Sequence, residues 1–160
     1  MMMNIVTITA DNWEKYRRPI WQFVKRYQQE NANSDSSRWL FQLRRHHFNR
    51  PGTSIKLVLW DGKMIALMAC SNYGTTNSTF IVHPTYQRTH IVLNILKEMK
   101  EELGVCYTKI KYDHIHIVKM ALQAGFAAIG YADSHEKVSL WFAGGHWHKN
   151  DIFERELSVE

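Results

Sequence analysis

His83, Gln87, Arg88 and His90 crowd into one short stretch, F-I-V-H-P-T-Y-Q-R-T-H-I-V-L-N-I-L over residues 80–96. Their types suit anions and proton transfer. A guanidinium matches phosphate or carboxylate in a bidentate way, an imidazole titrates near neutrality, and an amide adds a neutral donor. A change of period must position them. An apolar strand ends at Val82, a turn with Pro84 and Tyr86 follows, and an amphipathic helix begins. A strand–turn–helix junction aims the backbone N–H groups of the helix start at one spot, where the helix dipole favours negative charge. The stretch is therefore a candidate phosphate seat, built without glycine.

Other clusters invite chemistry but carry less. His46-His47, His114-x-His116 and His146-x-His148 look like metal pairs. Residues at i,i+2 do not share a helix face, and no Cys or carboxylate array stands at ligand spacing, so no metal site is assigned. Arg17-Arg18 and Lys25-Arg26 interleave with Trp13, Tyr16, Trp21 and Tyr27, a pattern also found on nucleic-acid faces. Aromatics at helical spacing more often form a core stripe with the charges as its solvated side, which makes nucleic acid the less favoured partner. No Ser-x-Gly elbow, Walker sequence or Cys–His nucleophile pattern stands out.

The elements that would carry these residues follow from periodicity. Residues 4–9 alternate as a short strand. Asp11 or Asn12 caps a helix to about Gln29, which Pro19 is expected to kink or split. Glu30–Ser37 is a polar loop, and a second helix is expected near Ser37–Phe48 with Leu40, Phe41 and Leu43 inward. Two apolar runs, Ser54–Trp60 and Lys63–Cys70, meet at Asp61-Gly62, a strong hairpin signal. Thr79–His83 is the next strand and Gln87–Leu103 a helix stopped by Gly104. Val105–Tyr112 is a strand, Asp113 caps a helix through Ala124, and Phe126–Tyr131 and Lys137–Phe142 are the last two strands. The predicted order is β-α-α-β-β-β-α-β-α-β-β, a mixed α/β (α+β) arrangement in one domain over residues 1–145, with a tail over 146–160.

Composition bounds the rest. The chain has 160 residues, 45% hydrophobic and 22% charged, enough for one core without disulfides. Its net charge of +5 concentrates in residues 1–50, where nine Lys and Arg face four acids. A basic surface favours an anionic partner. Cys70 and Cys106 sit in apolar runs and read as buried free thiols. No stretch reaches membrane-spanning length and no signal peptide follows the Met-Met-Met start, so a cytoplasmic protein with no membrane partner is expected.

Together these segments resemble the GNAT superfamily of acyl-CoA-dependent N-acyltransferases. The family's phosphate motif reads V-x-P-x-Y-[QR]-x-x-G-x-[GA]-x-x-L-L. Val82, Pro84, Tyr86, Gln87, Ile95 and Leu96 match it, while the two small positions hold His90 and Val92. Asp61-Gly62 matches a usual hairpin, and Asp113–Phe126 resembles a later helix followed by Gly-Phe. The resemblance runs from about Asn4 to Phe142. It implies a mostly antiparallel sheet with a central splay between two strands, flanked by helices. Phe80, Ile81 and Val82 would run beside the pantetheine arm of acetyl-CoA or another acyl-CoA. Gln87, Arg88, Thr89, His90, Ile91 and Val92 would form its phosphate loop. The chemistry implied is attack of an amine on the thioester, with a base, an oxyanion donor and an acid for the thiolate. His83 is the candidate base. The family's usual acid, a tyrosine five residues before the Phe of Gly-Phe, is Ala121 here, so Tyr112, or Tyr107 on the same strand, takes its place if it faces the cleft. The acceptor would be an amine on a small molecule or protein, with Arg38, Arg44 and Arg45 biasing the groove towards an acidic one; a homodimer is an open alternative to a monomer. The competing reading is a GNAT-like module without catalysis that binds protein or nucleic acid.

Overall fold

Asp61 and Gly62 both have positive φ, 48° and 81°, the backbone that a tight turn needs to match the right-handed twist of flanking strands. They join β2 (Ser54–Trp60) to β3 (Lys63–Ser71). In this computed structural model, which describes residues 3–28, 37–87, 89–134, 137–148 and 150–152, β1 (Met3–Thr7) and β4 (Asn77–Val82) complete a four-stranded antiparallel sheet ordered β1-β2-β3-β4. Arg88, the polar loop at 30–36, the turn at 135–136 and the tail from 153 onwards lie outside the described residues.

A second antiparallel sheet, ordered β5-β7-β6, comprises β5 (Val105–Lys111), β6 (Ala127–Ser134) and β7 (Lys137–Gly145). Among the described residues no ladder joins β4 to β5. The two strands touch where the buried Ser78 Oγ, near the start of β4, donates to Thr108 Oγ1, midway along β5, at 2.9 Å. Helix α2 (His90–Leu103) carries the chain from the end of β4 to the start of β5, a crossover of the kind that sets two strands parallel. The sheet is thus interrupted where the central splay is expected.

Period-2 alternation on β4 divides the core. Phe80 and Val82 pack with Ile91, Val92, Ile95, Leu96 and Met99 of α2 and with Ile117 and Ala121 of α3 (Ile115–Gln123). Ile81 faces the other way, into Trp13, Ile20, Phe23 and Val24 of α1 (Trp13–Tyr27) and Leu40. Each large side chain so buried contributes about 1.5–3 kcal/mol. Gly104, at φ 78°, ends α2 in the left-handed conformation that a side chain resists.

Three local expectations are corrected. Pro19 does not split α1, which is continuous; Pro19 lies on its exposed side, where the carbonyl left without a partner is solvated. The second helix is two short 3-10 segments, Arg38–Gln42 and Arg45–Asn49, parted by extended Leu43 and Arg44. The Arg44 N–H, which an α-helix would direct to the Leu40 carbonyl, donates instead to His47 Nδ1 at 2.8 Å. Neither Asn12 nor Asp113 caps a helix with its side chain. Asn12 staples the entry to α1: its Oδ1 accepts from the Thr9 N–H at 2.7 Å and its Nδ2 donates to the Thr7 carbonyl at 3.0 Å. Helix α3 starts later than expected, after His114.

Residues 146–152 of the expected tail fold onto the second sheet where described. Ile152 is buried with Tyr107, Trp141 and Ala143. The Tyr107 hydroxyl lies 2.5 Å from an Asp151 carboxylate oxygen and accepts from the His148 N–H at 2.9 Å. Opposite, Gly74 has φ 90°, and a Cβ there would overlap the Tyr107 carbonyl oxygen.

Candidate functional site

The junction after β4 folds as a tight 3-10 turn, Pro84–Tyr86, leading into α2. Pro84 presets its first φ. The His83 Nδ1 accepts the Thr85 N–H at 3.1 Å, and Gln87 Nε2 reaches back to the Val82 carbonyl at 3.4 Å. Thr89 stands before the first helical residue, but its hydroxyl turns back to the Tyr86 carbonyl at 2.6 Å and makes no cap. The first turn of α2 therefore has no side-chain cap on its N–H groups, the condition under which an external anion binds a helix start.

The two departures from the family's motif differ in placement. Val92 is fully buried with Ile95 and Leu96 in the core, so its side chain points into the protein. His90 is exposed. Beside the junction lies a cleft of about 310 Å³, lined by Gln87 on one side and by Asp113, His114, Ile115, His116 and Ile117 on the other. It connects the end of β4 with the turn after β5. Burial lowers the pKa of His114 below the ordinary imidazole value, opposed by Asp113 and helped by Lys111. The His114-x-His116 pair, set aside as metal ligands in the sequence, lines a cleft instead, and its place just after the strand that faces the junction was the available signal.

Of the residues assigned to chemistry, His83 is half-buried between Tyr27 and Tyr86, with ring centroids 4.8 and 5.6 Å away. With Nδ1 accepting from Thr85, the neutral ring carries its proton on Nε2. Tyr112 follows β5, 58% exposed, on the side of that strand shared by alternation with Cys106, Thr108 and Ile110, its N–H bonded to the Val138 carbonyl at 3.2 Å. Tyr107 faces away: burial and the Asp151 carboxylate raise its pKa to about 12 and its hydroxyl is held by the tail. Ala121 is fully buried, so α3 presents no hydroxyl there. Phe80, Ile81 and Val82 form the end of β4, with their side chains buried. The structure thus gathers Gln87, Thr89, His90 and Ile91 around one helix start, and it sets His83 and Tyr112 at the ends of the two strands that part. Cys70 and Cys106 are both buried thiols, Sγ atoms 3.9 Å apart, behind this region.

No family model and no curated protein sequence matches the chain. Solved structures do. An acetyltransferase of the GNAT family from Streptococcus pneumoniae is similar with a TM-score of 0.71 at 11% identity, over 90% of this chain and 99% of that one. The ribosomal-protein-S18-alanine N-acetyltransferase from Escherichia coli gives 0.60 at 11%, over 90% and 94%. AAC(6')-Ib, solved with paromomycin and acetyl-CoA, gives 0.59 at 10%, over 97% of each chain. The chain has the GNAT fold. At these identities the likeness is one of architecture, and folds host many functions.

Proposed function

We propose that the chain is an N-acyltransferase that moves an acetyl or other acyl group from acyl-CoA to an amine. What supports this most is a conjunction at the end of β4: an uncapped helix start, a cleft of about 310 Å³ beside it, and a break in the ladder between β4 and β5. The backbone of Thr89, His90, Ile91 and Val92, with Gln87 and Arg88, would hold the pyrophosphate; the strand backbone of Phe80, Ile81 and Val82 would lie along the pantetheine arm. In AAC(6')-Ib the same fold holds acetyl-CoA.

The roles divide along the two strands. The acceptor nitrogen forms a bond to the thioester carbon while the carbon–sulfur bond breaks. A strand N–H of β4 steadies the developing oxyanion. Tyr112 gives a proton to the departing thiolate, and the ammonium loses its proton to His83 or, through water, to solvent. A direct role for His83 as base requires Nε2 to be free, which means giving up the bond from Thr85. Calorimetry with acetyl-CoA and CoA, followed by acetyl transfer to a panel of amines, tests the reading. Micromolar binding and turnover are expected; no heat and no thermal shift at millimolar ligand would overturn it.

One observation favours the second reading, a GNAT-like binding module without catalysis. Ala121 leaves α3 without the hydroxyl that the family's usual acid supplies. Tight CoA binding with no transfer to any amine would select that reading.

A further inference from the structure

A larger cavity, about 480 Å³, lies at the other end of β4 from the phosphate junction. Its walls come from the two 3-10 segments after α1, from the Arg50-Pro51 turn and from the β3–β4 connection. Trp39 forms an amphipathic wall and fixes the cavity to the sheet, since its indole N–H donates to Thr79 Oγ1 at 2.9 Å. The charged and titratable groups in the lining are Arg50 and His47; no carboxylate lines it among the described residues. Gln42, Asn72 and Asn77 add amides.

The composition of the lining suits an acceptor-only ligand. Arg50 forms no ion pair among the described residues. His47 Nδ1 is occupied by the Arg44 N–H, so a neutral ring has its proton on Nε2 and acts as a donor. Burial, with help from the charges of His46 and Arg50, lowers the pKa of His47 and so favours the neutral ring. The surrounding excess of cations in residues 1–50 raises the local concentration of anions.

From this geometry we infer that the cavity between the 3-10 segments and the β3–β4 connection binds a small molecule through its carboxylate or phosphate oxyanion, held by Arg50 and His47 against Trp39. The site is separate from the acyl-CoA junction and stands whether or not the chain transfers acyl groups. An oxyanion offers two adjacent acceptors to a guanidinium fork and a third to an imidazole N–H, which chloride cannot do.

The test is a titration of the full chain with inorganic phosphate and, separately, with glutarate, each against sodium chloride at matched ionic strength. The readout is the Trp39 indole N–H resonance, identified by its loss in Trp39→Phe. A saturable shift of that resonance by at least one of the two oxyanions, absent with chloride, is expected. Arg50→Gln should weaken binding at least tenfold while its melting temperature stays that of the parent. Which of the two binds more tightly distinguishes a phosphate-bearing from a carboxylate-bearing ligand. If neither moves the Trp39 resonance, if they move only the amides of His90 and Ile91, or if Arg50→Gln binds as well as the parent, the inference is overturned.

Discussion

Tyr107 shows how much one side chain can be asked to do. Its ring packs on the second sheet, its carbonyl meets Gly74, and its hydroxyl holds His148 and Asp151. Burial, with the Asp151 carboxylate as acceptor, raises its pKa from 10 to about 12. A tyrosine whose folded pKa exceeds its unfolded one contributes stability that is complete below pH 10 and is lost as pH rises through about 12. The expected result is an alkaline destabilisation between those limits, followed by circular dichroism, that Tyr107→Phe removes along with the hydroxyl. An unchanged alkaline limb in the variant would assign the transition to other groups. Lys56 supplies a second residue-scale case. It is 5% exposed, yet its ammonium sits 3.4 Å from Glu102 and 2.7 Å from Thr7 Oγ1. Glu102→Ala strands that charge and also removes the acceptor of Ser54 Oγ. Because Glu102 is partly exposed, the expected loss is about 1–3 kcal/mol in urea unfolding.

At the scale of elements, the proposed function places the pyrophosphate at the start of α2. Gln87 belongs to the turn that delivers the chain into the helix start and lines the cleft. Gln87→Glu places a carboxylate where phosphate would sit, and at least tenfold weaker CoA binding is expected by calorimetry, about 1.4 kcal/mol. Equal affinity in the variant would move the phosphate elsewhere. This element was legible in advance because Val82, Pro84 and Tyr86 mark a strand end, a preset turn and a helix entry by their backbone preferences alone. Asp61-Gly62 was legible for the same reason. The segment after α1 was not. Leu40 and Leu43 are spaced as in a helix, but a single imidazole, His47, captures the Arg44 N–H and breaks the ladder, and no periodicity encodes such a competition. Asp113 misled similarly: a good capping residue was present, but the helix began beyond it. For the candidate site, the helix start could be read from spacing, whereas the outward turn of His90, the burial of Val92 and the lining role of His114 are consequences of packing.

For the molecule as a whole, two sheets share one crossover and the tail ties down the outer face of the second. Removing residues 146–160 would expose Tyr107 and Trp141 and delete Ile152 from its cluster. Loss of one buried aliphatic side chain and of the hydrogen bonds on Tyr107 amounts to about 3 kcal/mol, so a melting temperature lower by about 5–10 °C is expected in calorimetry. An unaltered melt would show that residues 1–145 hold themselves together.

The hydroxyl pair Ser78–Thr108 can be viewed as the rivet of a pair of scissors. Four residues of strand separate it from Val82, an arm of about 13 Å at the usual rise per residue. A rotation of about 5° between the blades would then move the tips about 1 Å apart. The pair lies in a buried spot at the narrow end of the gap between the two strands.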